Sequence, residues 1–372
     1  MRSLLLAGAP RRSRTGDVAG VVTWFGAMQA QDAASGLWSL GVRLPELTDT
    51  DVRAALERRE ALRTWPMRGT VHLVPSRDAR WMVELMGARI LAGTRTRRAG
   101  LGISDEIAER AVEVLGEALA GGGRLNRPQC LDLLAGAGIE VEGQRGYHLL
   151  GYAAHRAVIC IAPDIGKQQS FVLLDDWAPR PHRPERDEAL GTMALRYYRS
   201  HGPTTRQDFV GWTGLTVADA RRGISVALAA GELTVVLVDG RETYCSPAVL
   251  DDHSDVAAAV AAGGAGPTGG GAGQMLTLPG FDEYLLGYKD RSLMLDDTHL
   301  QAVVPGGNGM FRSTLVRDGR VIGTWKRTVV RGRTVVQVFP LITVGARDRT
   351  RIERAFEPYA RFTERPLDVS WP

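Results

Sequence analysis

One order of elements reads three times along this chain, a run of helices followed by a two-stranded hairpin, with three helices in two of the copies and a looser two in the first. It confines the fold to a string of small modules. The middle copy is the clearest. Ser104 caps a helix that carries Asp105 and Glu106 in its first turn, where carboxylates favour the helix dipole. Ile107, Ala111, Leu115 and Leu119 form its apolar stripe, and Gly121-Gly122-Gly123 stops it. A short helix from Asn126-Arg127-Pro128 to Leu134 is broken at Gly136 and Gly138, and a third fits Gly146 to Ala157. Val158 to Ile161 and Ser170 to Leu174 then read as strands around the turn-rich Pro163 to Gln169.

The last copy repeats the order. Helices fit Glu185 to Ser200, Arg206 to Trp212 and Val217 to Ala230, with Gly202-Pro203 breaking the chain after the first. Leu233 to Val238 and Arg241 to Cys245 make a hairpin around Asp239-Gly240, a turn dipeptide such loops favour. The first copy is looser, with helices from Asp17 to Met28 and Thr50 to Arg59 and strands from Leu62 to Trp65 and Thr70 to Val74. This is the winged-helix order. Three such units argue for nucleic acid, although tandem winged helices also serve as protein-interaction modules.

The composition then changes. Gly263 to Gly273 holds seven glycines and Pro267, a flexible linker. Beyond it, Phe311 to Leu315, Val321 to Trp325 and Thr334 to Phe339 read as strands, finished by a helix around Thr350 to Glu357. The expected fold class is α+β: winged helix 1 over residues 1–100, winged helix 2 over 101–180, winged helix 3 over 181–260, a linker over 261–275 and a β-rich module over 276–372.

The 372 residues, 44% hydrophobic and 24% charged, describe an ordinary globular chain. No apolar run approaches the roughly 20 residues that span a bilayer. Met1 to Ala9 has too short an apolar stretch for a secretory signal, so the expected location is cytoplasmic, without membrane association. The net charge of +4 rests almost wholly on arginine, whose fork suits phosphates and base edges. Lys167, Lys289 and Lys326 are the only lysines, which leaves few amines for a Schiff base. Cys130, Cys160 and Cys245 have no paired spacing, and His148 and His155 with Cys160 lack that of a zinc site, so no metal or cofactor is expected.

Gln29-Ala30-Gln31 places two amides where a catalytic base would be sought. On a helix they would point to opposite faces, whereas extended backbone would put them on one, so a joint role requires the helix to end near Met28. Asp32 is a competing base or a structural N-cap. Arg68 and His72 lie two strand pitches apart on one face, either as a DNA-facing pair or with a structural histidine. Arg89, Arg95, Arg97 and Arg98 suit phosphates or a solvated helix end. Gly306, Gly307 and Asn308, within the Pro305 to Gly309 turn, permit close backbone approach to a groove, or form an ordinary turn.

Gln29-Ala30-Gln31, Arg68-Gly69-Thr70-Val71-His72-Leu73, Gly202-Pro203 with Asp208-Phe209 and Trp212, Leu278-Pro279-Gly280-Phe281-Asp282-Glu283-Tyr284, and Asn308-Gly309 with Gly323-Thr324-Trp325 occur together and in order. In these the chain resembles winged-helix DNA glycosylases of the AlkZ group, over essentially its whole length. The resemblance implies a C-shaped, DNA-embracing arrangement of three winged helices. It also implies hydrolysis of the N-glycosidic bond of N7-alkylated purines in double-stranded DNA, unhooking of interstrand crosslinks and azinomycin self-resistance. Gln29 and Gln31 match the family's Gln-x-Gln catalytic motif; another branch carries Gln-x-Asp. An amide cannot take a proton as a carboxylate can. An N7-alkylguanine already carries positive charge and leaves readily, so paired amides could suffice to position water. A monomer without a cofactor is expected. The rivals are a non-catalytic winged-helix regulator or lesion-sequestering protein, and a glycosylase/lyase, which lacks an amine near Gln29.

Overall fold

The computed structural model describes residues 1–7, 15–250, 274–307 and 309–372. The chain opens with α1 (Val18–Phe25), whose N-cap Asp17 accepts the Gly20 N–H at 2.7 Å. Gly26, at φ 82°, ends it three residues before the expected Met28. The backbone then extends into β1 (Met28–Gln29), followed by α2 (Ala33–Gly41), α3 (Asp49–Glu57), β2 (Ala61–Met67) and β3 (Thr70–Pro75). Helix α2 was not foreseen. Its sequence, AASGLWSLG, is buried from Ser35 onward and has no polar face to give a period. Helices α4 (Ala79–Gly93) and α5 (Arg95–Gly100) lead out of this region.

The next elements are α6 (Asp105–Leu119), β4 (Leu125–Asn126), α7 (Arg127–Gly136), α8 (Arg145–His155), β5 (Ile159–Ile165), β6 (Gln168–Leu173) and α9 (Leu174–Trp177). Ser104 caps α6 as its sequence requires, but Ile107 is 38% exposed and Ala108 takes its place in the buried stripe. Then come α10 (Arg186–His201), α11 (Arg206–Thr213), α12 (Val217–Ala229), β7 (Thr234–Val238) and β8 (Arg241–Cys245). Asp239 and Gly240 both adopt positive φ, 49° and 73°, the primed turn that matches strand twist.

The Gly263 to Gly273 linker lies outside the described residues. Past it run β9 (Met275–Leu278), α13 (Glu283–Leu286), α14 (Leu300–Val303), β10 (Ser313–Arg317), β11 (Arg320–Val330), β12 (Arg333–Pro340), α15 (Ala346–Arg354), α16 (Glu357–Thr363) and β13 (Leu367–Ser370). The sheet order is β13-β12-β11-β10-β9, antiparallel except for the parallel β12/β13 pair.

Packing joins these segments closely. Strands of the first two units form one six-stranded sheet, β1-β3-β2-β5-β6-β4, through Arg63 opposite Ile161. One apolar core combines Leu4, Val22, Phe25 and Trp38 with Leu278, Trp325 and Phe356, so the N-terminal helices and the C-terminal module bury each other. Arg43 and Asp282 bridge the same interface at 2.7 Å with both side chains buried. Arg43 also donates to the carbonyls of Leu4 and Ser39, and Asp282 accepts from Ser39 Oγ, so the desolvated charges are well satisfied.

Candidate active site

Because α1 stops at Gly26, Met28 and Gln29 are free to pair with Leu73 and His72 of β3. The Ala30 N–H continues the pairing to the Val71 carbonyl at 2.9 Å. The Gln-x-Gln segment therefore lies in extended backbone. Gln29 is buried at 6% exposure, and Gln31 is exposed. Gln29 Oε1 accepts from Arg68 Nη2 at 3.0 Å, and Gln31 Oε1 accepts the Val71 N–H at 3.0 Å. Both partners can only donate, which settles which end of each amide is oxygen. Each oxygen retains one lone pair, and each NH2 group faces away from these donors.

Gln29 is held from both ends. Its backbone N–H donates to Glu283 Oε1 at 3.0 Å, and Trp212 Nε1 donates to Glu283 Oε2 at 2.8 Å. The Trp212 carbonyl accepts from Arg68 Nη1, while Arg68 Nη2 returns to Gln29. Gln29, Glu283, Trp212 and Arg68 thus close a ring of hydrogen bonds across three distant parts of the chain. Arg68 reaches inward from the β2–β3 turn, where it and Gly69 adopt positive φ of 54° and 69°. Burial alone would raise the Glu283 carboxyl. The hydrogen bond and charge of His201, with the Gln29 and Trp212 donors, outweigh it and hold the group below the usual range. Glu283 is therefore an ionised anchor with its oxygens occupied.

His72 completes the inner wall. Its Nδ1 lies 2.9 Å from the Thr70 carbonyl and must carry the proton, leaving Nε2 to accept from Arg68 Nη2 at 3.2 Å. Burial, and then the Arg68 charge, bring it down to about 3, so it is neutral at ordinary pH. The expected proximity of Arg68 and His72 is present, but both turn inward. His72 is fully buried and has no surface with which to touch DNA.

The remaining candidates are dispersed. Asp32 caps α2, accepting the Ser35 N–H at 3.0 Å and Ser35 Oγ at 2.6 Å, and pairs with Arg327 of β11 at 3.0 Å. Burial opposes its ionisation, but Ser35 and Arg327 still leave its carboxyl below the usual range. Arg98 is buried against Asp105, Arg95 pairs with Asp105, and Arg97 donates to Gln144, whereas Arg89 is exposed. Gly306 and Gly307 are exposed with positive φ, and Asn308 lies outside the described residues. Glu283, Trp212 and His201 gave no functional signal beyond their place in or beside the quoted motifs.

A buried strand ending at Gln29, with the exposed Gln31 two residues on and both amides oriented, is the central feature of this mixed helix-and-sheet fold. The family described as "DNA glycosylase AlkZ-like" matches residues 22–362, and the chain belongs to that family. One relative is the "Interstrand DNA cross-link repair glycosylase" of Streptomyces sahachiroi. It is 30% identical over 295 residues, covering 75% of this chain and 73% of that protein. Among solved structures, the Streptomyces sahachiroi DNA glycosylase AlkZ superposes with a TM-score of 0.74 at 23% identity, covering 100% of this chain and 97% of the other.

Proposed function

We propose that this AlkZ-like chain is a monofunctional DNA glycosylase that hydrolyses the N-glycosidic bond of N7-alkylated purines in duplex DNA and unhooks interstrand crosslinks. The observation that carries this reading is the orientation of the two glutamine oxygens, each fixed by a protein donor and each keeping one lone pair for water. The cationic N7-alkylpurine leaves without protonation, so the site needs only to place water and meet the positive charge growing on the sugar. The local alternatives to an amide have other tasks. Glu283 is buried and holds Gln29, Trp212 and His201, Asp32 caps a helix, and His72 is enclosed. Among the described residues no lysine bonds to Gln29 or Gln31, which disfavours a lyase step.

In this reading the three helix–hairpin units are winged helices around the duplex, and the chain acts as a cytoplasmic, nucleoid-associated monomer. The Pro305 to Gly309 loop meets DNA, while Arg68 and His72 act by holding Gln29. A link to azinomycin resistance rests on the family resemblance. The test is base release from a duplex bearing one N7-alkylguanine, with a crosslinked duplex in parallel. Slow release by Gln29→Ala and Gln31→Ala, with DNA binding retained, is the expected result. Tight binding without release by the unaltered protein would favour a sequestering protein.

A further inference from the structure

Away from the glutamines, a cavity of about 870 Å³ opens between α1, the open end of the β2–β3 hairpin and the segment after α9. Arg58, Arg59, Arg77, Arg180 and Arg199 line it against a single carboxylate, Glu60, which Arg58 already engages at 2.7 Å. Arg199 donates through Nη2 to the carbonyls of Thr23 and Trp24 and stacks over the Trp24 ring at 4.7 Å. Its Nε is buried and has no partner among the described residues. Trp177 shows the same pattern: 9% exposed, with its Nε1 buried and unpartnered and Arg59 stacked 4.7 Å over its ring. Arg180 has no carboxylate partner among the described residues, and Arg77 lies 3.9 Å from Asp78 with 68% of its side chain exposed.

Five guanidinium groups facing one carboxylate, beside two buried N–H donors without partners among the described residues, favour an anion with several acceptor oxygens. We propose that this cavity is a phosphate-binding site, taking either a phosphodiester of a DNA strand or a free phosphate. It lies at the far end of β3 from the Arg68-Gly69 turn. Pro75, which lines it, is three residues from His72, about 10 Å at strand rise. Phosphate capture here requires neither Gln29 nor Gln31, so it stands independently of the glycosylase reading.

The experiment uses the full chain and Arg77→Ala/Arg180→Ala, which alters two exposed side chains. Binding to undamaged duplex is measured between about 50 and 200 mM salt, and inorganic phosphate binding is measured by calorimetry. If a DNA strand occupies the cavity, the slope of log K against log salt falls by about two. If the site takes free phosphate, calorimetric binding is lost while the duplex slope is unchanged. Base release at saturating DNA remains at the unaltered level in either case. A variant that matches the parent in both binding measurements overturns the proposal.

Discussion

Glu283 accepts the backbone N–H of Gln29 at 3.0 Å across 254 residues of chain. A carboxylate from the C-terminal module thus fixes a strand in the N-terminal one. Glu283→Gln replaces one carboxylate oxygen with an NH2 group, which must face a donor from Gln29, Trp212 or His201. The expected loss is about 1–3 kcal/mol of stability, the cost of leaving a buried group unsatisfied. Urea unfolding reads that loss, and base release by the folded fraction should also slow because Gln29 is no longer fixed.

Asp32 separates a capping role from a catalytic one. Asp32→Ala removes the cap of α2 and the pair with Arg327, so stability should fall by about 1 kcal/mol. Base release should persist. Abolished release with Gln31→Ala still active would assign the chemistry to Asp32.

The Arg43–Asp282 pair predicts an asymmetry. Asp282→Asn leaves a buried guanidinium without its counter-charge and should cost about 3–5 kcal/mol. Arg43→Met/Asp282→Leu removes both charges and should recover part of that loss. Equilibrium denaturation of the two variants provides the comparison.

His72 supplies a pH dependence with a definite sign. Its ring falls from an ordinary value near 6.5 to about 3 on folding, so the unfolded chain binds the extra proton first. Its contribution is full above pH 6.5 and declines as pH falls from 6.5 towards 3. His72→Gln should flatten the stability profile over the upper part of that window, measured by urea midpoints from about pH 7 to 5. An unaltered slope would contradict the burial argument.

Gly287 is small because His201 lies against it. A Cβ there would overlap the His201 ring and stand 2.7 Å from the Glu283 carbonyl. Gly287→Ala should displace His201 from Glu283 and cost about 1–3 kcal/mol, readable as a lowered thermal midpoint.

Local chemistry made much of the fold legible. Ser104 with two acidic residues marked the start of α6, and Asp239-Gly240 marked a hairpin, because caps and turns depend on near neighbours. Helix α2 was hidden because both its faces are buried, and the Ile107 position because alanine and isoleucine compete for one stripe. Gln29 and Gln31 could be singled out, but not the orientation of their amides. For Gln29 that depends on Arg68, held in turn by Trp212, and for Gln31 on the Val71 N–H, partners that meet only through tertiary packing. The reading of Arg68 and His72 put them on one face without revealing that the face is interior.

The core shared by α1–α3 and the C-terminal sheet sets an order of events during synthesis. Domains ordinarily fold as they leave the ribosome, N-terminal first. Here Phe25 and Trp38 wait for Leu278, Trp325 and Phe356, and Gln29 waits for Glu283. The glutamine strand is made early yet positioned late, so a nascent or prematurely terminated chain carries the motif without the setting that orients it.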